Sequence, residues 1–298
     1  MKSLLRLLWR RVPALPAAVA LAIALSLLAS ACADDVAAPE APTPGTSTAD
    51  PTAVPTPEPL SGDITVFAAS SLIQAFEEIA VAFKAENEAT RVNFNFAGSQ
   101  DLRTQLELGA QADLFAAADT RQIDLAAESG VVVDDHEIFA HNRLVVIVPK
   151  ANEAVITTLQ DLAEPGIKVV LANVGVPVGA YSRQFLIKAS DDPAFGPDYG
   201  ANVLANVVSE ESNVRQVAAR IQLDEADAGI VFSSDVTTEL AAAVTTIEIP
   251  DALNVLADYP IVLTTEAEDI DIAEAFIEFV LSDAGQAILV EHNFIGID

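Results

Sequence analysis

Two serines, Ser71 and Ser99, stand where apolar strand-like runs give way to helix-like ones. The first unit reads Asp63-Ile-Thr-Val-Phe-Ala-Ala-Ser-Ser-Leu72 and the second Arg91-Val-Asn-Phe-Asn-Phe-Ala-Gly-Ser-Gln-Asp-Leu102. A helix start presents unpaired N–H groups and the positive end of the helix dipole, which together suit an anion. Two such starts, 28 residues apart in a chain with 15 Lys and Arg against 44 Asp and Glu, point to an oxyanion held by neutral donors. Helix capping is the plainer reading of the same residues, and Ser71 with Gln74 has capping-box spacing.

The elements that must position these serines alternate between strand and helix. Ile64 to Ala68 reads as a buried strand, followed by a helix over Leu72 to Asn87 with Ile73, Phe76, Ala80 and Phe83 on one face. Val92 to Ala97 is a strand, and its following helix turns Leu102 and Leu106 inward before Gly109. Ala112 to Ala117 and Thr120 to Ser129, stopped by Gly130, complete a β-α-β-α-β series. Such a series implies a mostly parallel sheet covered by helices.

A second series follows. Leu144 to Val148 and Val169 to Ala172 read as strands, the latter leading through Pro177 into a helix over Val178 to Ala189. A helix over Val214 to Leu223 precedes a strand, Asp227 to Phe232, that enters Ser233-Ser234. A strand at Tyr259 to Thr264 and helices at Asp271 to Leu281 and Asp283 to His292 close the chain. The 238 residues after Leu60 are ample for two α/β lobes.

The opening segment has a different character. Lys2, Arg6, Arg10 and Arg11 precede an apolar stretch from Ala14 to Ala31 that ends Leu28-Ala-Ser-Ala-Cys32. This is the layout of a secretory signal over residues 1–31. Cys32, the one cysteine of the chain, follows small residues as in a lipoprotein signal, with Leu28 four positions before it where the lipobox has three. Residues 32–61, rich in Pro, Thr and Ala, read as a semi-extended tether that holds the folded part off a membrane. With no second cysteine there is no disulfide, and the core must hold by packing. The expected location is therefore the outer face of the cytoplasmic membrane or the periplasm.

The net charge is −29, and removal of the four basic residues in the signal lowers it to −33. Nucleic acid needs a basic face and is excluded as a partner. An anion approaching this surface must overcome long-range repulsion through short hydrogen bonds in a closed cleft.

The motifs together resemble one family, the substrate-binding proteins of molybdate ABC transporters, of periplasmic-binding-protein type II. The marks are Ile64-Thr-Val-Phe-Ala-Ala-Ser-Ser-Leu72, Phe96-Ala-Gly-Ser99, Gly109-Ala-Gln-Ala-Asp-Leu-Phe115, Leu144-Val-Val-Ile-Val-Pro-Lys150, Val176-Pro-Val-Gly179, Asn213-Val-Arg215 and Gly229-Ile-Val-Phe-Ser-Ser-Asp235. The resemblance implies an α/β fold of two lobes, each a mixed sheet flanked by helices, closing on a tetrahedral oxyanion about two hinge crossovers. Residues 62–142 with 258–298 would form one lobe and 143–257 the other, with the crossovers near Asn142–Leu144 and Glu248–Ala257.

The family's two serine hydroxyls fall on Ser71 and Ser99, and its helix-start N–H donors at about Val178 and Val214. Its tyrosine position holds Phe232, which has no hydroxyl; Tyr181, Ser233 and Ser234 are the candidate replacements. The implied ligand is molybdate or tungstate, with no further cofactor and no protein side chain ligating the metal directly. The implied partners are the membrane permease subunits of an importer, and the protein is expected to act as a monomer. Sulfate or another small oxyanion is the alternative ligand. Arg215 is expected to make a lobe-to-lobe contact, and Asp101 and Asp235 to orient backbone or close the lobes.

Other classes find little support. No Gly-x-Ser-x-Gly elbow surrounds either serine, and His136, His141 and His292 show no base pattern near one. No cluster of His, Cys and carboxylates has metal-ligand spacing. A stalked scaffold module would need no pocket, and stabilisation by a small oxyanion would tell the two apart.

Overall fold

The computed structural model describes residues 59–297. The signal at 1–31, Cys32 and all but the last three residues of the tether lie outside the described residues. The first strand, β1 (Gly62–Ala69), buries Ile64, Val66 and Ala68 on one side. It runs through a tight turn at Ser70–Leu72 into α1 (Ile73–Glu86). β2 (Thr90–Ala97), α2 (Ser99–Glu107), β3 (Leu114–Ala116), α3 (Thr120–Glu128) and β4 (Glu137–Asn142) follow.

The second series comprises β5 (Leu144–Pro149), β6 (Val169–Ala172), α4 (Pro177–Asp191), α5 (Tyr199–Ala205), β7 (Val207–Glu211), α6 (Val214–Gln222), β8 (Ala228–Phe232), α7 (Thr238–Ala243) and β9 (Val244–Glu248). β10 (Ala257–Leu263), α8 (Ile270–Leu281) and α9 (Asp283–Glu291) then close the chain.

These strands form two five-stranded sheets, ordered β2-β1-β3-β10-β4 and β7-β6-β8-β5-β9. In the first, β2, β1 and β3 are parallel while β10 runs antiparallel to both β3 and β4. In the second, β7, β6 and β8 are parallel while β5 runs antiparallel to β8 and β9. Each lobe is thus a mixed sheet flanked by helices. β5, Leu-Val-Val-Ile-Val-Pro, is buried at all six positions, as an unbroken apolar run requires when both faces are covered. In the first lobe Phe76 of α1 packs on Phe139 of β4 at 5.4 Å and on Phe276 of α8 at 6.0 Å, which fixes both helices against the sheet.

The chain passes from the first sheet to the second through Arg143 alone and returns through residues 249–256. Asn254 ties the two passages together. Its Oδ1 accepts from the Leu144 N–H at 3.0 Å, and its Nδ2 donates to the Leu144 carbonyl at 2.9 Å. One side chain thereby satisfies both backbone groups of the residue that opens β5.

Candidate functional site

Four helix starts face one cavity between the sheets. The Ser70–Leu72 turn before α1 and the start of α2 come from the first lobe, and the starts of α4 and α6 from the second. Ser71, Ser99, Val178, Val214 and Phe232 all line it, and each is buried. The space it encloses is small, about 10 Å³ open to the centre of a water-sized sphere, room for about one water. No charged side chain is part of the lining. The space suits a compact ion and not an extended molecule.

Each helix start is prepared locally. Pro177 opens α4, so the first N–H groups that α4 presents are those of Val178 and Gly179. A Cβ on Gly179 would collide with the carbonyl oxygens of Ala172 and Asn173, so only glycine lets α4 sit this close to the end of β6. Asn213 caps α6 by accepting from the Gln216 N–H at 3.0 Å, which leaves the N–H groups of Val214 and Arg215 without intrahelical partners.

The two serines do not act as caps. No side-chain cap bond forms at the Ser70–Leu72 turn, at α1 or at α2, so the capping-box reading of Ser71 with Gln74 is corrected. Ser71 lies inside the turn, and Ser99 is the first helical residue, one past the cap position held by Gly98. Their hydroxyls bond elsewhere. Ser99 Oγ accepts from the Ala118 N–H at 3.1 Å, and Ser71 Oγ lies 3.0 Å from the Tyr259 hydroxyl. Neither Oγ meets a histidine or a carboxylate among the hydrogen bonds of the described residues. His141 pairs with Asp258 and His292 with Glu78 instead.

Phe232 turns an almost wholly covered ring to the cavity and meets the rings of Tyr181 at 6.2 Å and Tyr259 at 5.7 Å edge-on. The three candidates to replace its missing hydroxyl, Tyr181, Ser233 and Ser234, lie outside the cavity lining. Ser234 Oγ accepts from Asn142 Nδ2 at 2.8 Å, and Ser233 Oγ lies 2.8 Å from Asn142 Oδ1 and 3.0 Å from the Asn293 carbonyl. The β8 backbone turns away behind Phe232, carrying both serines to the crossover. The phenol that meets a cavity serine is that of Tyr259, behind Ser71 and outside the lining itself. A lone tyrosine in an apolar strand was the available signal.

Three contacts bridge the lobes around the cavity. Gln100 Nε2 donates to the Ser212 carbonyl at 2.8 Å, and Gln122 Nε2 to the Gly175 carbonyl at 3.2 Å. Arg215 supplies the third, to the Ser70 carbonyl and to Gln74. Behind it Asp235 is fully buried, and burial raises its carboxyl to about 6 against the opposing pull of Arg215 and the Phe232 N–H. Asp101 differs from expectation: it is exposed in the first turn of α2, and its carboxylate takes part in none of the hydrogen bonds among the described residues.

The arrangement provides two hydroxyls and two helix ends, all neutral, around a space for one small ion. A family model described as bacterial extracellular solute-binding protein matches residues 64–295. The molybdate-binding protein ModA of Mycobacterium tuberculosis is 36% identical over 231 residues, covering 78% of this chain and 84% of that protein. The periplasmic molybdate-binding protein of Azotobacter vinelandii aligns with a TM-score of 0.67 at 18% identity, over 79% of this chain and all of the other. The sulfate-binding protein SubI of Mycobacterium tuberculosis aligns at 0.72 and 19%, over 79% of this chain and 87% of the other. At these identities the two solved structures speak to the fold alone.

Proposed function

The chain belongs to the bacterial extracellular solute-binding proteins, and from that premise we propose that it captures molybdate, and equally tungstate, between its lobes for delivery to the permease of an ABC importer. One observation carries the reading: two serine hydroxyls and two helix N-termini, from opposite lobes, line one uncharged cavity. A dianion among neutral donors is recognised by size and by its lack of protons, and is released without breaking an ion pair. Ser71, Ser99 and the N–H groups at Val178 and Val214 serve as the donors. Sulfate is the second reading, on the likeness of fold to SubI. The 36% identity to ModA favours molybdate over it.

Calorimetric titration of the soluble domain with molybdate, tungstate, sulfate and phosphate tests this. Tight binding of the two metal oxyanions and weak binding of sulfate is the expected result, and equal affinity for sulfate would overturn it. We place the mature protein outside the cytoplasmic membrane as a monomer, lipid-anchored through Cys32 once residues 1–31 are removed. Cys32→Ser is then expected to block processing or release the protein from membranes. A variant that stays processed and membrane-bound would refute the anchor.

A further inference from the structure

We propose that Tyr259 is a positioning residue for the anion: its buried hydroxyl, held by Asn142 at the lobe crossover, fixes Ser71 so that the serine proton points into the cavity. The proposal rests on the oxyanion reading above.

The direction of every hydrogen bond in this chain of groups follows from the first. The Arg143 N–H can only donate, and it lies 2.9 Å from Asn142 Oδ1, which fixes the amide orientation. Asn142 Nδ2 can also only donate, and it faces Ser234 Oγ at 2.8 Å and the Tyr259 hydroxyl at 3.3 Å. The Tyr259 oxygen therefore accepts from Asn142. Its own proton has one polar neighbour left, Ser71 Oγ at 3.0 Å. Tyr259 is fully buried, so a proton pointed anywhere else would be an unpaired donor in a dry interior. Burial also keeps the phenol neutral, so the proton is always there to give.

Ser71 Oγ then accepts from behind, and its proton is left for the cavity that Ser71 lines. Ser99 has the same polarity from a different source, because the Ala118 N–H donates to its Oγ. Both serines are thereby set as donors before any ligand arrives. Asn142 is the last residue of β4, directly before the Arg143 crossover, so the chain of groups also links the anion site to the point about which the lobes move.

A double-mutant cycle on the soluble domain tests the role. Tyr259→Phe is expected to weaken molybdate binding roughly three- to tenfold, the worth of one neutral hydrogen bond, and to have no further effect in a Ser71→Ala background. The ratio of molybdate to phosphate affinity should fall as well, because a Ser71 hydroxyl released from Tyr259 can accept from a protonated anion. An unchanged affinity, or the same loss with and without Ser71, would overturn the proposal while leaving the oxyanion reading intact. A parent protein that binds none of the oxyanions would overturn both.

Should Tyr259→Phe not fold, the parent protein carries the test. The phenol proton of Tyr259, assigned with Tyr181→Phe and Tyr199→Phe variants, should shift in the NMR spectrum when molybdate is added. A resonance that does not move would overturn the proposal.

Discussion

Arg215, in the first turn of α6 in the second lobe, donates from Nε to the carbonyl oxygen of Ser70 in the first lobe at 3.0 Å. Asp235 Oδ1 stands 3.3 Å from the same nitrogen without a hydrogen bond, because the single Nε proton is already aimed at Ser70. Asp235 thus contributes charge there, while its Oδ2 accepts from the Phe232 N–H at 3.2 Å. Ser70 precedes Ser71 and Arg215 follows Val214, so the closure contact and the anion donors share the same two short backbone segments. On the proposed reading, closing the lobes and assembling the donor set would be one event.

The buried Asp235 makes a pH-dependent contribution to stability with an unusual sign. Burial raises its pKa from 3.8 to about 6 in the folded protein. Between those values the folded state holds more protons than the unfolded chain, so this contribution is full below pH 3.8 and is lost as pH rises through 6. The loss amounts to about 3 kcal/mol by neutral pH. Asp235→Asn keeps an acceptor for Phe232 and should gain stability relative to the parent as pH rises from 4 to 7. Melting curves across that range provide the check; parallel profiles for the two proteins would show that Asp235 does not titrate there.

Ser71→Ala and Ser99→Ala are each expected to weaken molybdate binding about ten- to a hundredfold, as a hydrogen bond to a charged acceptor is lost. Both should also lose stability, by about 1–3 kcal/mol each, because Ser99→Ala strips the buried Ala118 N–H of its acceptor and Ser71→Ala does the same to the buried Tyr259 hydroxyl. Unliganded melting temperatures and titrations of both variants would show this. Parent-like affinity in both would reduce the serines to structural residues.

Gly98 is expected to be required for closure and not for folding. Its backbone angles, φ −63° and ψ 139°, suit any residue, but an added Cβ would lie 2.6 Å from the Ser212 carbonyl of the other lobe and 2.5 Å from the end of the flexible Gln100 side chain, which can move aside. Gly98→Ala should therefore melt within about 0.5 kcal/mol of the parent without ligand, as a substitution outside the lobe cores. Its molybdate affinity should drop at least about tenfold, since binding is paid for by closure. Solution scattering should show the parent compacting with molybdate and the variant not. Compaction in both would place the closing contact elsewhere.

Phe232→Tyr puts a hydroxyl at the cavity wall and should gain little, less than about fivefold in affinity, because a bridging water serves an anion oxygen nearly as well as a direct hydrogen bond. Titration of this variant is the complement of the Tyr259 cycle. A tenfold gain or more would mean that an oxyanion oxygen goes unserved in the parent.

The strands read from sequence and those missed differ by place in the sheet. β1, β3, β5, β6, β8 and β10 lie in sheet interiors and carry dense apolar runs. β4, β7 and β9, whose sequences carry no clear strand pattern, are all edge strands, and β7 reads Val-Val-Ser-Glu-Glu with two of its five residues exposed. An edge strand has one neighbour and tolerates charge, so its apolar signature is weak. β2 is also an edge strand and was legible only through Phe94 and Phe96.

The sequence by itself determined the two lobes, the helix starts at Ser99, Pro177 and Val214, and the poverty of cations that makes a neutral-donor site the natural reading. These are local properties, written in periodicity and in the residue at a helix end, and they survive without knowing what packs on what. The tertiary structure alone decided what each hydroxyl bonds to. Ser71 meets Tyr259 across 188 residues only because β10 returns to the first sheet one strand away from β1. Ser233 and Ser234 point to the crossover because the chain turns behind Phe232. A hydroxyl's partner is fixed by strand order and by the route between sheets, and no spacing along the chain encodes either.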